Sequence, residues 1–308
     1  MSTLKELYDN NVNIMQYLRD KKNSNENDST AILTSYDMQA GSYVKNIEEN
    51  KIGTYYNGSK KELSAKEYQK IKFDFIAQKF NEYIYIYDKQ LTLLEAGTGE
   101  ATSLVPLIQN LPRNINYLGF DISLSRIQVG NKFCKKHTVA PQLFCADMLN
   151  IPLADNSIDI VFTSHAIEPN TNKELEVLSE LYRISSQYLI LIEPSYELGN
   201  EETRKNIEKH CYIRKLKQAI EQLNCEILFH DLLPASTYTN MSEMFILKKN
   251  NIITKNNTNF VCPQCKNNLI LHNNNYFCEH CLTVYPILNN IPDLNINHCI
   301  LFSQYLDD

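Results

Sequence analysis

Glycines and strand-end carboxylates follow one another in a stretch that could bind a nucleoside cofactor. The apolar run 91–94 ends in Glu95. A Gly-x-Gly turn at Gly97 and Gly99 follows at once, and glycines let a backbone approach a ligand closely. A second apolar run ends at Asp121, where a carboxylate could accept both hydroxyls of a ribose. This order predicts a cofactor site at the carboxyl ends of buried parallel strands.

Two cofactors fit this order, and the residues around the glycines distinguish them. A dinucleotide site normally has a third glycine, but this chain has Thr102 there, and Glu100 would place a negative charge near a pyrophosphate. S-adenosylmethionine (SAM) has no phosphate, and its ammonium and sulfonium groups suit an acid such as Glu95. A third strand ends near Asp147, whose carboxylate could meet the adenine amino group. The sequence favours SAM and leaves a dinucleotide as the alternative.

These segments resemble the class I SAM-dependent methyltransferases from about Leu91 to Lys249. The resemblance rests on four motifs, which are Glu95-Ala-Gly-Thr-Gly99, Gly119-Phe-Asp-Ile-Ser123, Ala146-Asp-Met148 and the strand 157–163. It implies an α/β fold with a doubly wound, mostly parallel, Rossmann-like sheet. It also implies that SAM contacts Glu95, Gly97, Gly99, Asp121, Ile122, Asp147, Met148 and Ser164.

Two titratable side chains follow the fourth predicted strand. His165 and Glu168 come directly after strand 158–164, at the end of a parallel sheet where ligands bind. A histidine there could act as a general base on the methyl acceptor, because its pKa lies near neutrality. Glu168 is a second candidate for catalysis. The alternative is that His165 only packs against the cofactor and hydrogen-bonds to the backbone.

The C-terminal part of the chain carries two C-x-x-C pairs separated by 12 residues. Four thiolates at this spacing can close a tetrahedral coordination sphere around one structural Zn²⁺. Residues 260–294 resemble the small zinc-ribbon proteins that activate methyltransferases, and the resemblance implies that the ribbon covers an apolar methyltransferase surface. The predicted metal ligands are Cys262, Cys265, Cys278 and Cys281.

Sequence patterns divide the chain into three parts. Residues 1–85 are expected to form a helical N-terminal extension or lid. Strand and helix patterns alternate through residues 86–249, the expected SAM-binding core. An asparagine-rich break at 250–259 leads into residues 255–308, the expected zinc-ribbon domain.

Local signals locate the elements around the site. Ser64 and Glu67 form a capping box that opens a helix. That helix is expected to bury Tyr68, Ile71, Phe75 and Phe80 on one face. Two more helices are expected at Thr171–Ile184 and Glu202–Leu223. Strands are expected at Leu91–Glu95, Tyr117–Asp121, Leu143–Ala146, Ile158–Ser164 and Tyr188–Glu193, with an antiparallel edge at Glu226–His230 and Met244–Leu247.

Composition narrows the class of protein and its compartment. The 308-residue chain has a formal net charge of −6, which argues against broad contact with nucleic acid. No window approaches the roughly 18 unbroken apolar residues of a membrane span, and the N terminus lacks a signal-peptide pattern. The five cysteines outside the ribbon have apolar neighbours, so we expect buried free thiols and a reducing cytoplasm.

The chain is therefore expected to be a cytoplasmic SAM-dependent methyltransferase for a small molecule, such as a sugar, lipid precursor or secondary metabolite. One alternative is an RNA methyltransferase, because some rRNA guanine methyltransferases also carry a zinc ribbon. Another is a zinc adaptor that binds SAM without turnover. Residues 255–308 hold two lysines, no arginine and four acids, so nucleic acid is not the expected partner. We expect the ribbon to dock on its own catalytic domain, or on a partner copy in a homodimer.

Overall fold

The chain folds around a seven-stranded sheet in a computed structural model that describes residues 3–49, 51–56, 59–84, 90–251 and 255–306. The helices in these ranges are α1 Leu4–Asp9, α2 Ile14–Lys21, α3 Ser29–Met38, α4 Ser42–Glu49, α5 Ala65–Tyr83, α6 Leu104–Asn110, α7 Leu124–Lys136, α8 Glu174–Ile184, α9 Glu201–His210 and α10 Leu216–Ile220. The strands are β1 Lys51–Tyr56, β2 Ser59–Ser64, β3 Leu91–Ala96, β4 Ile115–Asp121, β5 Gln142–Cys145, β6 Ile158–Ser164, β7 Ser185–Pro194, β8 Cys225–Leu232, β9 Ala235–Thr237, β10 Ser242–Lys249, β11 Ile270–His272, β12 Asn275–Cys278, β13 Thr283–Leu288, β14 Ile291–Pro292 and β15 Ile300–Leu301.

The central sheet has the strand order β5-β4-β3-β6-β7-β10-β8. Its first five strands are parallel, and β10 runs antiparallel to both β7 and β8. All six residues of β3 are buried, as expected of a strand covered on both faces. The doubly wound, Rossmann-like fold is confirmed, and all seven predicted strands lie within a few residues of their expected positions.

The N-terminal extension contains strands as well as helices. β1 and β2 form an antiparallel hairpin, and β9 from the core pairs with β1 through Thr54 and Thr237. The capping box of Ser64 and Glu67 opens α5 as predicted. The buried face of α5 differs from the prediction, because Tyr68, Ile71 and Phe75 are only partly buried. The buried side chains in the middle and at the end of the helix are Lys72, Phe73, Ile76 and Phe80.

Two helix boundaries and some cysteines also differ from the sequence predictions. The helix expected at Glu202–Leu223 is broken at Cys211, whose left-handed φ of 52° ends α9. The helix expected from Thr171 begins at Glu174, because the Thr171 hydroxyl instead donates to the Cys211 carbonyl.

The cysteines outside the ribbon are free, but only two of the five are buried; Cys211, Cys225 and Cys299 are partly exposed.

The C-terminal module, residues 255–306, packs against the β5 edge of the sheet. The Leu294 N–H donates to the Cys145 carbonyl at 2.8 Å, and the Val261 N–H donates to the Pro152 carbonyl at 3.0 Å. The rings of Phe260 and Phe144 meet edge to face, with centroids 5.0 Å apart. Cysteines and aromatic residues of the module thus join the core cluster of the sheet.

Both lysines of the C-terminal module form ion pairs with the catalytic core. Lys255 pairs with Asp159, and Lys266 pairs with Glu180 at 3.0 Å. The positive charges of this module therefore face the protein. None of the helices in the described ranges is both long and apolar enough to span a membrane.

Candidate active site

A cavity of about 440 Å³ lies at the carboxyl ends of β3, β4, β5 and β6. Its volume is within the range of small-molecule sites, roughly 300–1,000 Å³. Gly99 does not line the cavity, because the Arg126 side chain lies over it. The other nine predicted cofactor and catalytic residues do, and they are Glu95, Gly97, Asp121, Ile122, Asp147, Met148, Ser164, His165 and Glu168.

The glycine turn after β3 is joined to the end of β4 by Asp121. Gly97 and Gly99 have φ values of +75° and +53°, which side chains disfavour. The Gly99 N–H donates to one Asp121 oxygen at 3.0 Å, and the Ser123 N–H donates to the other at 2.9 Å. Each carboxylate oxygen has a second lone pair, so Asp121 can still accept hydrogen bonds from the hydroxyl groups of a ligand in the cavity.

Two further strand-end acids face the same cavity. Glu95 is 1% exposed and accepts a hydrogen bond from the Thr98 hydroxyl at 2.6 Å. Burial raises the pKa of Glu95 to about 8. One Asp147 oxygen accepts from the Leu149 N–H at 2.9 Å. Together with Asp121, these carboxylates mark the ends of three neighbouring strands.

The N-terminal extension covers the cavity and is fixed by a buried arginine. Arg126, on α7, lies beneath the rings of Tyr36 and Tyr43, with its guanidinium carbon 5.2 and 4.4 Å from their centroids. Its Nη1 is 3.9 Å from an Asp121 oxygen, and its Nε is 4.0 Å from a Glu100 oxygen. Arg126 thus connects the N-terminal extension with Asp121, the acid that is predicted to bind the ribose.

Glu100 holds the extension in place. The sequence argument placed its charge near a bound pyrophosphate, but its oxygens accept from the N–H groups of Gly41 and Val44 at 2.9 and 2.8 Å. A carboxylate at this end of α4 is stabilised by the helix dipole. Asp37 makes a similar contact by accepting from the Ser123 hydroxyl at 2.6 Å.

Lys72 is a buried cation that the sequence reasoning missed. It lies on α5, is 6% exposed, and donates from its Nζ to the Ser164 hydroxyl at 2.9 Å. Burial lowers the pKa of Lys72 to about 8. The negative charges of Glu95, Glu193 and Glu168 act in the other direction and raise it, but by less than burial lowers it. Its position four residues before Ile76 and eight before Phe80, on the buried face, was the available sequence signal.

His165 is held in a strained conformation directly after β6. Its φ is +55°, which is uncommon for a residue with a side chain. Nε2 lies 3.0 Å from the Ser242 hydroxyl, and Nδ1 lies 3.2 Å from the Asn240 amide nitrogen and 3.3 Å from a Glu168 oxygen. Both ring nitrogens therefore already have protein partners.

The pKa values of this pair keep it uncharged near neutral pH. Burial and the positive charge of Lys72 lower the pKa of His165 to about 3. Burial raises the pKa of Glu168 to about 8. Near neutral pH, Glu168 is therefore the protonated residue of the two and His165 is neutral. This arrangement favours an orienting role for His165 over free general-base action.

Glu193, at the end of β7, organises the loop that carries His165. It is fully buried and accepts from the N–H groups of Ala166, Ile167 and Glu168, each at 3.2 Å. Burial, followed by the neighbouring Glu168, raises the pKa of Glu193 to about 7. Glu193 is outside the cavity lining and acts on it through the loop.

The four predicted metal ligands come together in the C-terminal module. Their sulfur atoms all lie within 4.8 Å of one another, with Cys265 and Cys278 3.5 Å apart and Cys262 and Cys281 3.9 Å apart. Tetrahedral thiolates around zinc are about 3.8 Å apart. The residue after each pair, Lys266 or Leu282, has a left-handed φ of 60° or 56°. This geometry is compatible with a Zn²⁺ ion.

Residues 93–187 match a family model described as a methyltransferase domain. The chain contains a class I methyltransferase domain. A curated relative, malonyl-(acyl-carrier protein) O-methyltransferase from Marinomonas sp. (strain MWYL1), is 29% identical over 136 residues, or 40% of this chain. The match spans about half of that relative, 49% of its length. The family model and this relative support a SAM-dependent methyltransferase domain.

Solved structures share the fold of this methyltransferase domain. Magnesium protoporphyrin IX methyltransferase from Synechocystis PCC 6803, solved with bound SAH, has a TM-score of 0.53 at 14% identity, covering 72% of this chain and 100% of that one. The 4+2 cyclase SpnF has a TM-score of 0.55 at 13% identity, covering 72% and 96%. The fold is thus shared by a protein named for another reaction.

Proposed function

We propose that this protein transfers a methyl group from SAM to a small-molecule acceptor. The observation that carries the proposal is that Glu95, Asp121 and Asp147 line one cavity in strand order beside Gly97. Their chemistry fits the cofactor: Glu95 suits the ammonium group, Asp121 the ribose hydroxyls and Asp147 the adenine amino group. SAM would supply an electrophilic methyl group on its sulfonium.

The residues of this chain would contribute alignment more than proton transfer. Displacement at a methyl carbon requires the acceptor to lie opposite the leaving sulfur, and such positioning can supply up to roughly 7–11 kcal/mol. Glu193 fixes the loop 165–168, and Ser242 and Asn240 fix the His165 ring. We propose that neutral His165 orients the acceptor, and that Glu168 takes up a proton from the acceptor only in its ionised form, which predominates above its pKa of about 8.

We further propose that the C-terminal module binds one structural Zn²⁺ through its four cysteines and stabilises the core by packing on it. Its two lysines are committed to Asp159 and Glu180, which leaves little positive charge for RNA phosphates. The packing seen within one chain supports intramolecular docking, and a homodimer remains a prediction. Thiolate ligation also suits the reducing cytoplasm that we propose as its compartment.

The acceptor itself is proposed only by class. The relative named above acts on malonyl-(acyl-carrier protein), which makes carrier-bound acyl groups a class worth testing beside sugars and other metabolites. RNA is the competing acceptor, and SAM binding without turnover is the non-enzymatic alternative.

The test uses SAM with an isotopically labelled methyl group. The purified protein is incubated separately with a small-molecule extract, a carrier-protein fraction and RNA, and products are followed by mass spectrometry. We expect label in the first or second fraction and its loss in the Asp121→Ala variant. Label confined to RNA would favour the RNA alternative, and SAM binding without label in any fraction would favour the adaptor.

A further inference from the structure

Three side chains that can bind a metal ion meet where the C-terminal module joins the central sheet. They are Cys145 at the end of β5, and Asp293 and His298 from the module. Their ligand atoms all lie within 4.8 Å of one another. None of the three lines the cavity, and none belongs to the cluster of four cysteines. This second cluster therefore has no part in the proposed function.

The backbone holds the three side chains of the second cluster together. A parallel β-bridge pairs Cys145 with Asp293, which fixes the thiol beside the carboxylate. Nδ1 of His298 lies 2.9 Å from Oδ2 and 3.1 Å from Oδ1 of Asp293. In the described part of the chain, Asp293 forms no other ion pair. Cys145 and Asp293 are buried, whereas the His298 side chain is 31% exposed, so the cluster opens to solvent at the imidazole.

The charges around the second cluster favour a bound cation. Burial raises the pKa of the Cys145 thiol, and the negative charge of Asp293 raises it further. Asp121 and Asp37 act on the thiol in the same direction. Carboxylates thus surround the sulfur, and a divalent cation among them would reverse their effect, because a thiol that coordinates a metal ion is deprotonated.

We propose that Cys145, Asp293 and His298 form a second Zn²⁺ site, which fastens the C-terminal module to the central sheet. Thiolate, imidazole and carboxylate are all ligands of Zn²⁺, and three protein ligands leave the fourth position to water. On binding, the Cys145 thiol loses its proton to solvent, and His298 coordinates through the lone pair of neutral Nδ1. The Cys145 sulfur also lies 3.3 Å from the carbonyl oxygen of Ile122, so the site adjoins a residue that lines the cavity.

Metal analysis of the full chain, after equilibration with Zn²⁺ and gel filtration, tests the site. We expect about two zinc ions per chain, one in the cluster of four cysteines and one in the second cluster. Cys145→Ala and His298→Gln should each lower the count to about one ion. The matched control is Cys134→Ala, which removes another buried free thiol of the core and should leave both ions bound. Thermal unfolding checks that each variant folds.

Cobalt(II) titration of the unmodified protein gives a second readout. Cobalt–thiolate bonds absorb in the near ultraviolet, so an ion with four thiolates should absorb strongly and an ion with only the Cys145 thiolate more weakly. We expect both phases in the unmodified protein and loss of the weaker phase in Cys145→Ala. If the variants do not fold, the absence of a one-thiolate phase from the unmodified protein would overturn the proposal.

A zinc count that neither variant lowers would also overturn the proposal. A persistent count of one would leave Asp293 and His298 as an ion pair, and a persistent count of two would place the second ion elsewhere. Because zinc is counted without SAM or a methyl acceptor, this result is independent of whether the proposed methyl transfer is observed.

Discussion

The Leu294 N–H donates a hydrogen bond to the carbonyl oxygen of Cys145 at 2.8 Å. Cys145 is the last residue of β5, and Ala146 and Asp147, which follow it, line the cavity. The C-terminal module therefore supports the backbone that carries the predicted adenine contact. Its folding and cofactor binding should be linked.

Removing the proposed Zn²⁺ ion from the C-terminal module should weaken SAM binding. Four thiolates supply much of the folding energy of a small zinc domain. We expect Cys278→Ser, or strong chelation, to loosen the module and cost about 1 kcal/mol of SAM binding, the net value of one hydrogen bond. Calorimetry and metal analysis measure this, with Cys225→Ser as the control outside the cluster. Purified protein without zinc and with four freely titratable thiols would contradict it.

SAM binding should release a proton from Glu95. Burial raises the pKa of Glu95 from 4.5 to about 8, so the free protein holds this proton at about pH 6. The ammonium group of SAM favours the ionised carboxylate and so lowers the pKa of Glu95. At a pH between 4.5 and about 8, SAM binding should therefore release the proton. Calorimetry in buffers of different ionisation enthalpy measures the release. Glu95→Gln should bind more weakly and release none; equal release from both proteins would rule out Glu95 as the source.

The supporting framework of this site was predictable because its signals are local. Each apolar run and the strand-end acid or glycines that follow it lie within a few residues of one another. The contacts that hold the N-terminal extension over the cavity are not local: Asp37 accepts a hydrogen bond from Ser123, 86 residues away, and β1 pairs with β9, which lies about 180 residues later in the chain. No local pattern encodes such pairings.

The roles of Lys72 and Glu100 were not predicted, because they too depend on contacts between elements that are distant in sequence. Lys72 was overlooked because the prediction of the buried face of α5 counted only apolar residues, and a buried lysine does not enter such a pattern. Glu100 was considered only for the charge that it would place near a pyrophosphate, whereas its oxygens accept hydrogen bonds at the N terminus of α4. A side chain's partner depends on the packing of elements distant in sequence.

Replacing His165 should slow turnover more than it weakens SAM binding. Asparagine removes the imidazole but tolerates the left-handed backbone, so His165→Asn separates ring chemistry from strain. Because both ring nitrogens have protein partners, we expect kcat to fall by roughly 10-fold, less than the 10²–10⁴ of general-base catalysis. Steady-state kinetics and calorimetry measure the two effects. Lost SAM affinity with unchanged kcat at saturation would place His165 on the cofactor side.

Deleting residues 255–308 should expose apolar surface on the catalytic core. Phe144 is fully buried, and its ring contacts Phe260 of the C-terminal module. We expect the truncated protein to aggregate, as measured by light scattering, because large exposed apolar patches drive association. A milder control is Lys266→Ala, which removes one partly buried ion pair and should cost about 1 kcal/mol or less. A soluble, fully active truncation that had lost only RNA affinity would contradict the packing role.

Titration of the full chain with SAM and with NAD tests the central claim most directly. The Glu95, Asp121 and Asp147 carboxylates suit a cofactor without phosphates, so SAM should bind and NAD should bind more weakly or not at all. Asp121→Ala should reduce SAM affinity by about 1–3 kcal/mol, the usual cost of losing charge-assisted hydrogen bonds. Tighter binding of NAD than of SAM, or SAM affinity unchanged in Asp121→Ala, would contradict the account.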